Sequence, residues 1–129
     1  MKVVVDASVI VDYLRRGDVP GVLYLEILRQ RVEVVISTVT VAELYAGGSA
    51  QKGGKQRDNL DLVMTGAEIA GVDLAMAKAV GEMRSKYRLG LADAFIAALA
   101  LSENLPVATL DTSDFSPVEG LQVYAMLAS

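Results

Sequence analysis

Val3, Val4 and Val5 constrain the fold more than any other stretch of the chain. Three successive β-branched residues without polar alternation read as a strand buried on both faces, and that kind of burial belongs to parallel sheets covered by helices. The run stops at Asp6, after which Val9, Ile10, Tyr13 and Leu14 recur at helical spacing. Asp6 therefore stands where a central strand hands over to a helix. In open α/β sheets that carboxyl rim is where ligands bind, which makes Asp6 a site candidate.

The rest of the chain repeats the alternation. A breaker, Gly17-Asp18-Val19-Pro20, offers Asp18 as an N-cap for a second helix over Val22 to Arg31. Glu33 to Ser37 reads as a second strand, closed by Ser37-Thr38, and a helix then runs to Ala46. The glycine pairs at 47–48 and 53–54 predict a flexible connection before a helix over Lys55 to Met64. Ala67 to Val72 fits a short strand. Asp73 fits the cap of a long helix whose Met76, Val80, Met83 and Tyr87 share one face. Leu91 to Leu101 is apolar almost all round, as a buried helix would be. Pro106 to Leu110 predicts a fourth strand, Asp111 to Pro117 a loop, and Leu121 to Ala125 a last strand. The expected architecture is one α/β domain over residues 1–129, a three-layer α/β/α sandwich with a mainly parallel central sheet.

Composition narrows the chemistry. The chain has no Cys and no His, which removes disulfide scaffolds, thiolate nucleophiles, imidazole ligands and Ser-His-Asp catalysis. Carboxylates acting with metal or water remain. Hydrophobic residues make up 53% and the mean hydropathy is +0.40, yet each long apolar stretch meets a charge or breaker before reaching membrane-spanning length. The amino terminus lacks the pattern of a signal peptide, so the expectation is a cytoplasmic protein without a membrane partner.

Four acids sit where surface acids usually do not. Asp6 follows the first strand, Asp93 lies in the most apolar helix, Asp111 follows the fourth strand, and Glu43 is in the helix leaving the second strand. If these strands are parallel neighbours, all four carboxylates approach one rim. Each also has an ordinary explanation: a helix cap for Asp6, a Thr40-x-x-Glu43 capping box, a favourable helix dipole for Asp93, and a turn for Asp111. Independent caps need not share a rim, which weakens these explanations taken together. Setting the four acids aside leaves twelve acids against twelve bases. Two charges about 4 Å apart repel by about 4 kcal/mol at an effective dielectric near 20, so such a cluster needs neutralising. No base adjoins the four acids in sequence, and hard Mg²⁺ (or Mn²⁺) suits oxygen ligands of this kind.

Asp6-Ala-Ser8 after a Val strand, Glu43 in Thr-Val-Ala-Glu-Leu, Asp93 in Leu-Ala-Asp-Ala-Phe-Ile, and Thr109-Leu-Asp-Thr-Ser-Asp-Phe115 resemble the four motifs of the PIN domain. Length and motif order are similar to the VapC-type toxins of toxin–antitoxin pairs, and the resemblance covers essentially the whole chain. It implies a metal-dependent endoribonuclease. Asp6, Glu43, Asp93 and Asp111 would be the catalytic and metal-binding acids, Asp114 a secondary candidate, and Ser8 and Thr109 bordering hydroxyls. It also implies an RNA substrate, a homodimer and a cognate antitoxin.

Two other readings stay open at this stage. One is a PIN-fold RNA-processing or RNA-binding protein outside toxin–antitoxin systems. The other is a phosphoacceptor receiver module, which would need an Asp after its middle strand and a Lys after its last. Here the second strand ends in Ser37-Thr38, and Ala-Met-Leu-Ala-Ser follows Tyr124.

Overall fold

Four strands form one parallel sheet in the computed structural model, which describes residues 1–124. They are β1 (Lys2–Val5), β2 (Glu33–Ser37), β3 (Glu68–Ala70) and β4 (Val107–Ala108), in the spatial order β3-β2-β1-β4. Val3 lies opposite Val34, Ile36 opposite Ile69, and Val5 opposite Ala108. The chain steps outward from β1 to β2 to β3, then returns to the other side of β1 to lay down β4. That reversal leaves the connections diverging between β1 and β4, and the crevice opens at their carboxyl ends.

Helices cover both faces, as the Val run requires. Val3 and Val5, with Val34 and Ile36, face a core shared with α1 (Ala7–Arg16), α2 (Leu23–Arg29) and α5 (Gly54–Gly66) through Ile10, Ile27 and Leu60. Val4 and Val35 face the opposite core, with α6 (Leu74–Tyr87) and α7 (Leu91–Glu103) through Val80, Ile96 and Ala97. Val3, Val4 and Val5 have no exposed surface. Each Val withdrawn from water contributes about 1.5–3 kcal/mol, which holds β1 at the centre of three α/β/α layers. Among the described residues no helix is long and apolar enough to cross a membrane.

Local expectations fared unevenly. Asp6 and Asp73 cap α1 and α6, each accepting a backbone N–H from the first turn. α1 stops at Gly17, whose φ of 76° suits glycine and whose N–H reaches the Tyr13 carbonyl. Asp18 does not cap α2: the N-cap is Val22, with no side-chain bond. The expected flexible stretch after Gly47 contains a short helix, α4 (Gly48–Gln51), anchored by the buried Ala50. α3 (Thr38–Ala46) is capped by Ser37, whose Oγ accepts from the Val39 N–H. The capping box is therefore absent, because Thr40 already lies inside the helix. β4 is shorter than Pro106 to Leu110, since the chain turns outward and leaves Leu110 49% exposed. The last strand reduces to one parallel bridge between Val107 and Val123, and Ala125 lies outside the described residues.

Candidate active site

Asp6 is the fixed point of the crevice. It is 5% exposed, and its N–H donates to the Ala108 carbonyl at 3.1 Å, tying the end of β1 to the end of β4. Ser8 Oγ donates to Asp6 Oδ1 at 2.5 Å and accepts from the Leu110 N–H at 3.0 Å. Thr109 Oγ1 donates to Asp6 Oδ2 at 2.5 Å and accepts from the Asp111 N–H at 2.9 Å. Each hydroxyl thus holds one carboxylate oxygen with its proton and one backbone N–H of the post-β4 segment with its lone pair. The Val9 N–H adds a longer bond to Oδ1 at 3.4 Å. A carboxylate offers about four lone-pair sites, so these three bonds leave one on Oδ2 for a ligand. Capping α1 and facing the site are compatible roles of one side chain.

The other acids gather around this point. Burial raises the Asp6 carboxyl above its ordinary value against the pull of the Ser8, Thr109 and Val9 bonds, and the charge of Asp111 raises it further. Glu43 is raised by burial and by Asp6. Asp93, in the first turn of α7, is raised by burial and then by Asp114, Asp6, Glu43 and Asp111 in that order. All five acids therefore share one electrostatic neighbourhood, and no cation figures among the influences on these three groups. Asp111 and Asp114 overlap on Asp93, and only Asp111 also acts on Asp6. Asp114, in the 3-10 turn Thr112–Asp114, is the strongest charged neighbour of Asp93. Sequence position ranks Asp114 behind Asp111, but the turn carries Asp114 back toward α7.

The donor set suits a hard divalent cation, being oxygen throughout, anionic, and short of a neutralising base. Among the described residues no group of three acids is already closed into a cage for an ion. Glu43, Asp93, Asp111 and Asp114 join no ion pair there, so rotating them toward a shared ligand breaks none. Residue-type reasoning missed the backbone donors of Val9, Leu110 and Asp111, because side-chain patterns do not show main-chain direction. It also missed the Thr40 hydroxyl, buried without a hydrogen-bond partner one turn before Glu43.

Fold and site together define an α/β protein with an all-oxygen acidic crevice at the switch point of a parallel sheet. Residues 3–121 match the model of the PIN domain, and the chain belongs to that family. It is 36% identical over 133 residues, 94% of this chain and 95% of the relative, to the plasmid stability protein StbB of Pseudomonas syringae pv. tomato (strain ATCC BAA-871 / DC3000). Among solved structures it is similar to DNA-bound VapBC from Salmonella typhimurium, with TM-score 0.77 and 18% identity over 96% of this chain and 97% of that one. It is also similar to VapBC-5 from Mycobacterium tuberculosis, a member of the VapBC family of toxin–antitoxin systems. There the TM-score is 0.63 and the identity 28%, over 94% of this chain and 93% of that one.

Proposed function

We propose that the protein is a divalent-metal-dependent endoribonuclease and the toxin of a toxin–antitoxin pair. What supports this reading is the Asp6 carboxylate held at the β1–β4 switch point by Ser8 and Thr109, with Glu43, Asp93, Asp111 and Asp114 acting on it or on one another and no cation of the protein among the causes that raise the Asp6, Glu43 and Asp93 carboxyls. Membership of the PIN family, the likeness to a plasmid stability protein and the likeness to VapBC-5 favour a toxin over a general RNA-processing enzyme. The same likeness supports a cognate antitoxin as partner, and a homodimer belongs to this reading.

Asp6, Glu43 and Asp93 would hold the metal, with Asp111 and Asp114 closing the set. Bound Mg²⁺ or Mn²⁺ supplies charge neutralisation and Lewis-acid polarisation of phosphate and water oxygens. The chain's own part is orientation. Ser8 and Thr109 keep the Asp6 carboxylate aimed with one Oδ2 lone pair open, and their bonds to the Leu110 and Asp111 N–H groups hold the Asp111 side of the crevice against it. Glu43 and Asp93, with raised carboxyls, are ready to lose charge repulsion when a cation binds. No covalent nucleophile is required.

Cleavage of a single-stranded RNA panel with Mg²⁺ or Mn²⁺, with and without EDTA, tests the reading. Cleavage abolished by the chelator is expected; undiminished cleavage would refute the metal mechanism. Co-purification of a small protein encoded by the adjacent reading frame, and its suppression of cleavage, tests the antitoxin.

A further inference from the structure

A groove of about 100 Å³ opens beside the acidic crevice and contains one of its acids. One wall is α1, through Ala7, Val11, Leu14 and Arg15, and the other is Glu43 and Leu44 of α3 followed by Gly47, Gly48 and Ser49. The α1 residues stand at i, i+4, i+7 and i+8, a single stripe along the helix. Because α1 begins at its cap Asp6, that stripe leads away from the rim. A rise of 1.5 Å per residue puts the Arg15 backbone about 14 Å along the axis from Asp6, and helical side chains lean back toward the amino-terminal end. The groove is thus lined by a site acid, Glu43, on one wall and by Arg15 toward the far end of the other, with Val11, Leu14 and Leu44 between them.

Arg15 is distinguished by its place, as the one basic residue among those that line the groove. Its neighbour Arg16 is committed to Asp12 at 3.0 Å and to the Gly21 carbonyl at 3.0 Å. Arg29 pairs with Glu26, and Arg57 pairs with Asp61 and lies over the Tyr45 ring. Among the described residues Arg15 joins no ion pair, a state it shares with Arg31, Arg88, Lys52, Lys55 and Lys78, but of these only Arg15 lines the groove beside Glu43.

A polyanionic strand approaching five acids is repelled by them, and a cation held clear of the acids offsets that repulsion without filling the metal site. We propose that Arg15 is a substrate-positioning residue, taking in its guanidinium fork a backbone phosphate further along the RNA strand from the phosphate at the acidic rim. The inference rests on the nuclease reading. Gly47, Gly48 and Ser49 suit the opposite wall, where small side chains let a strand pass. A guanidinium matches phosphate in a bidentate way that an ammonium does not.

Steady-state cleavage of a single-stranded RNA in Mg²⁺, over a series of salt concentrations, tests the role. Wild type is compared with Arg15→Ala, Arg15→Lys and the control Arg29→Ala, each checked for an unchanged melting temperature. Arg15→Ala is expected to raise KM about tenfold with kcat within twofold, irrespective of RNA sequence, and to shrink the log–log salt slope by about 0.7. Arg15→Lys should recover part of the loss, and Arg29→Ala should match wild type. If wild type cleaves and Arg15→Ala keeps its KM and salt slope, the positioning role is overturned while the nuclease reading stands. A fall in kcat at constant KM overturns it too. If wild type cleaves no RNA, the nuclease reading fails and takes this role with it.

Discussion

Replacing Thr109 by Val removes one hydroxyl, keeps the side-chain shape nearly unchanged, and breaks two bonds at once. The Oγ1–H no longer reaches Asp6 Oδ2, and the Asp111 N–H loses its acceptor. Asp111 lies at an exposed turn, where water can replace the lost acceptor at little cost. Asp6 is 5% exposed and has no such replacement. A hydrogen bond to a charged group contributes about 1.5–3 kcal/mol, so the expected loss is about 2 kcal/mol at pH 7 without metal. With an unfolding entropy of about 2.1 cal/mol/K per residue, that is a fall of about 7 °C in Tm for a chain of this length. Thr109→Ser keeps the hydroxyl and loses one buried methyl, about 1 kcal/mol. Thermal melts of the three proteins in EDTA provide the measurement. A cycle with Asp6→Asn should give a coupling of about 1 kcal/mol or more, since the two side chains touch. Cleavage by Thr109→Val should drop about 10–100-fold, the usual effect of losing a group that orients a metal ligand. The reasoning is refuted if Thr109→Val melts within 0.5 °C of wild type, or if Ser is as damaging as Val.

Three further outcomes are expected. Asp93→Asn should raise the Tm of the metal-free protein, because it removes a carboxylate that burial and four acids oppose; a lower Tm would count against their clustering. In EDTA, stability should fall as pH rises above the ordinary carboxylate range of about 4, since Asp6, Glu43 and Asp93 have raised carboxyls and the folded state binds more protons than the unfolded one there. Saturating Mg²⁺ should flatten or reverse that slope, and thermal melts from pH 4 to 8 with and without the ion test the sign. Asp111→Asn and Asp114→Asn should each weaken metal binding measured by calorimetry, because Asp111 acts on both Asp6 and Asp93 and Asp114 acts on Asp93. A wild-type Kd in either variant would remove that acid from the set.

The Val run and its abrupt end at Asp6 were enough to specify a central parallel strand with an acid at its rim, because burial on both faces leaves an unbroken apolar run that the local sequence shows directly. The apolar helix around Asp93 and the cap at Asp73 were legible for the same local reasons. Glu43 was ambiguous in sequence, since Thr40-x-x-Glu43 reads equally as a cap, and only the placement of Ser37 at the N-cap released it from that duty. Tyr13, Leu14, Leu23 and Ile27 form an apolar set on the first two helices whose sequence alone does not say whether it faces a partner or the sheet. In the folded chain Leu14 and Ile27 are core and the other two pack against it, because α1 and α2 turn that face onto the sheet.

Tertiary structure alone decided what the acids do together. Residue order says that Asp6 and Asp111 each follow a strand, but only the order β3-β2-β1-β4 makes those strands neighbours across the switch point. The Ser8 and Thr109 hydroxyls span more than a hundred residues of sequence to join one carboxylate to the other segment's backbone, a contact no local pattern encodes. Asp114 reached the neighbourhood of Asp93 because a 3-10 turn bends the loop back toward α7. Local sequence chooses strands, helices and caps through short-range sterics and burial. Which charges meet is a matter of chain reversal and long-range pairing, and these exist only once the sheet has formed.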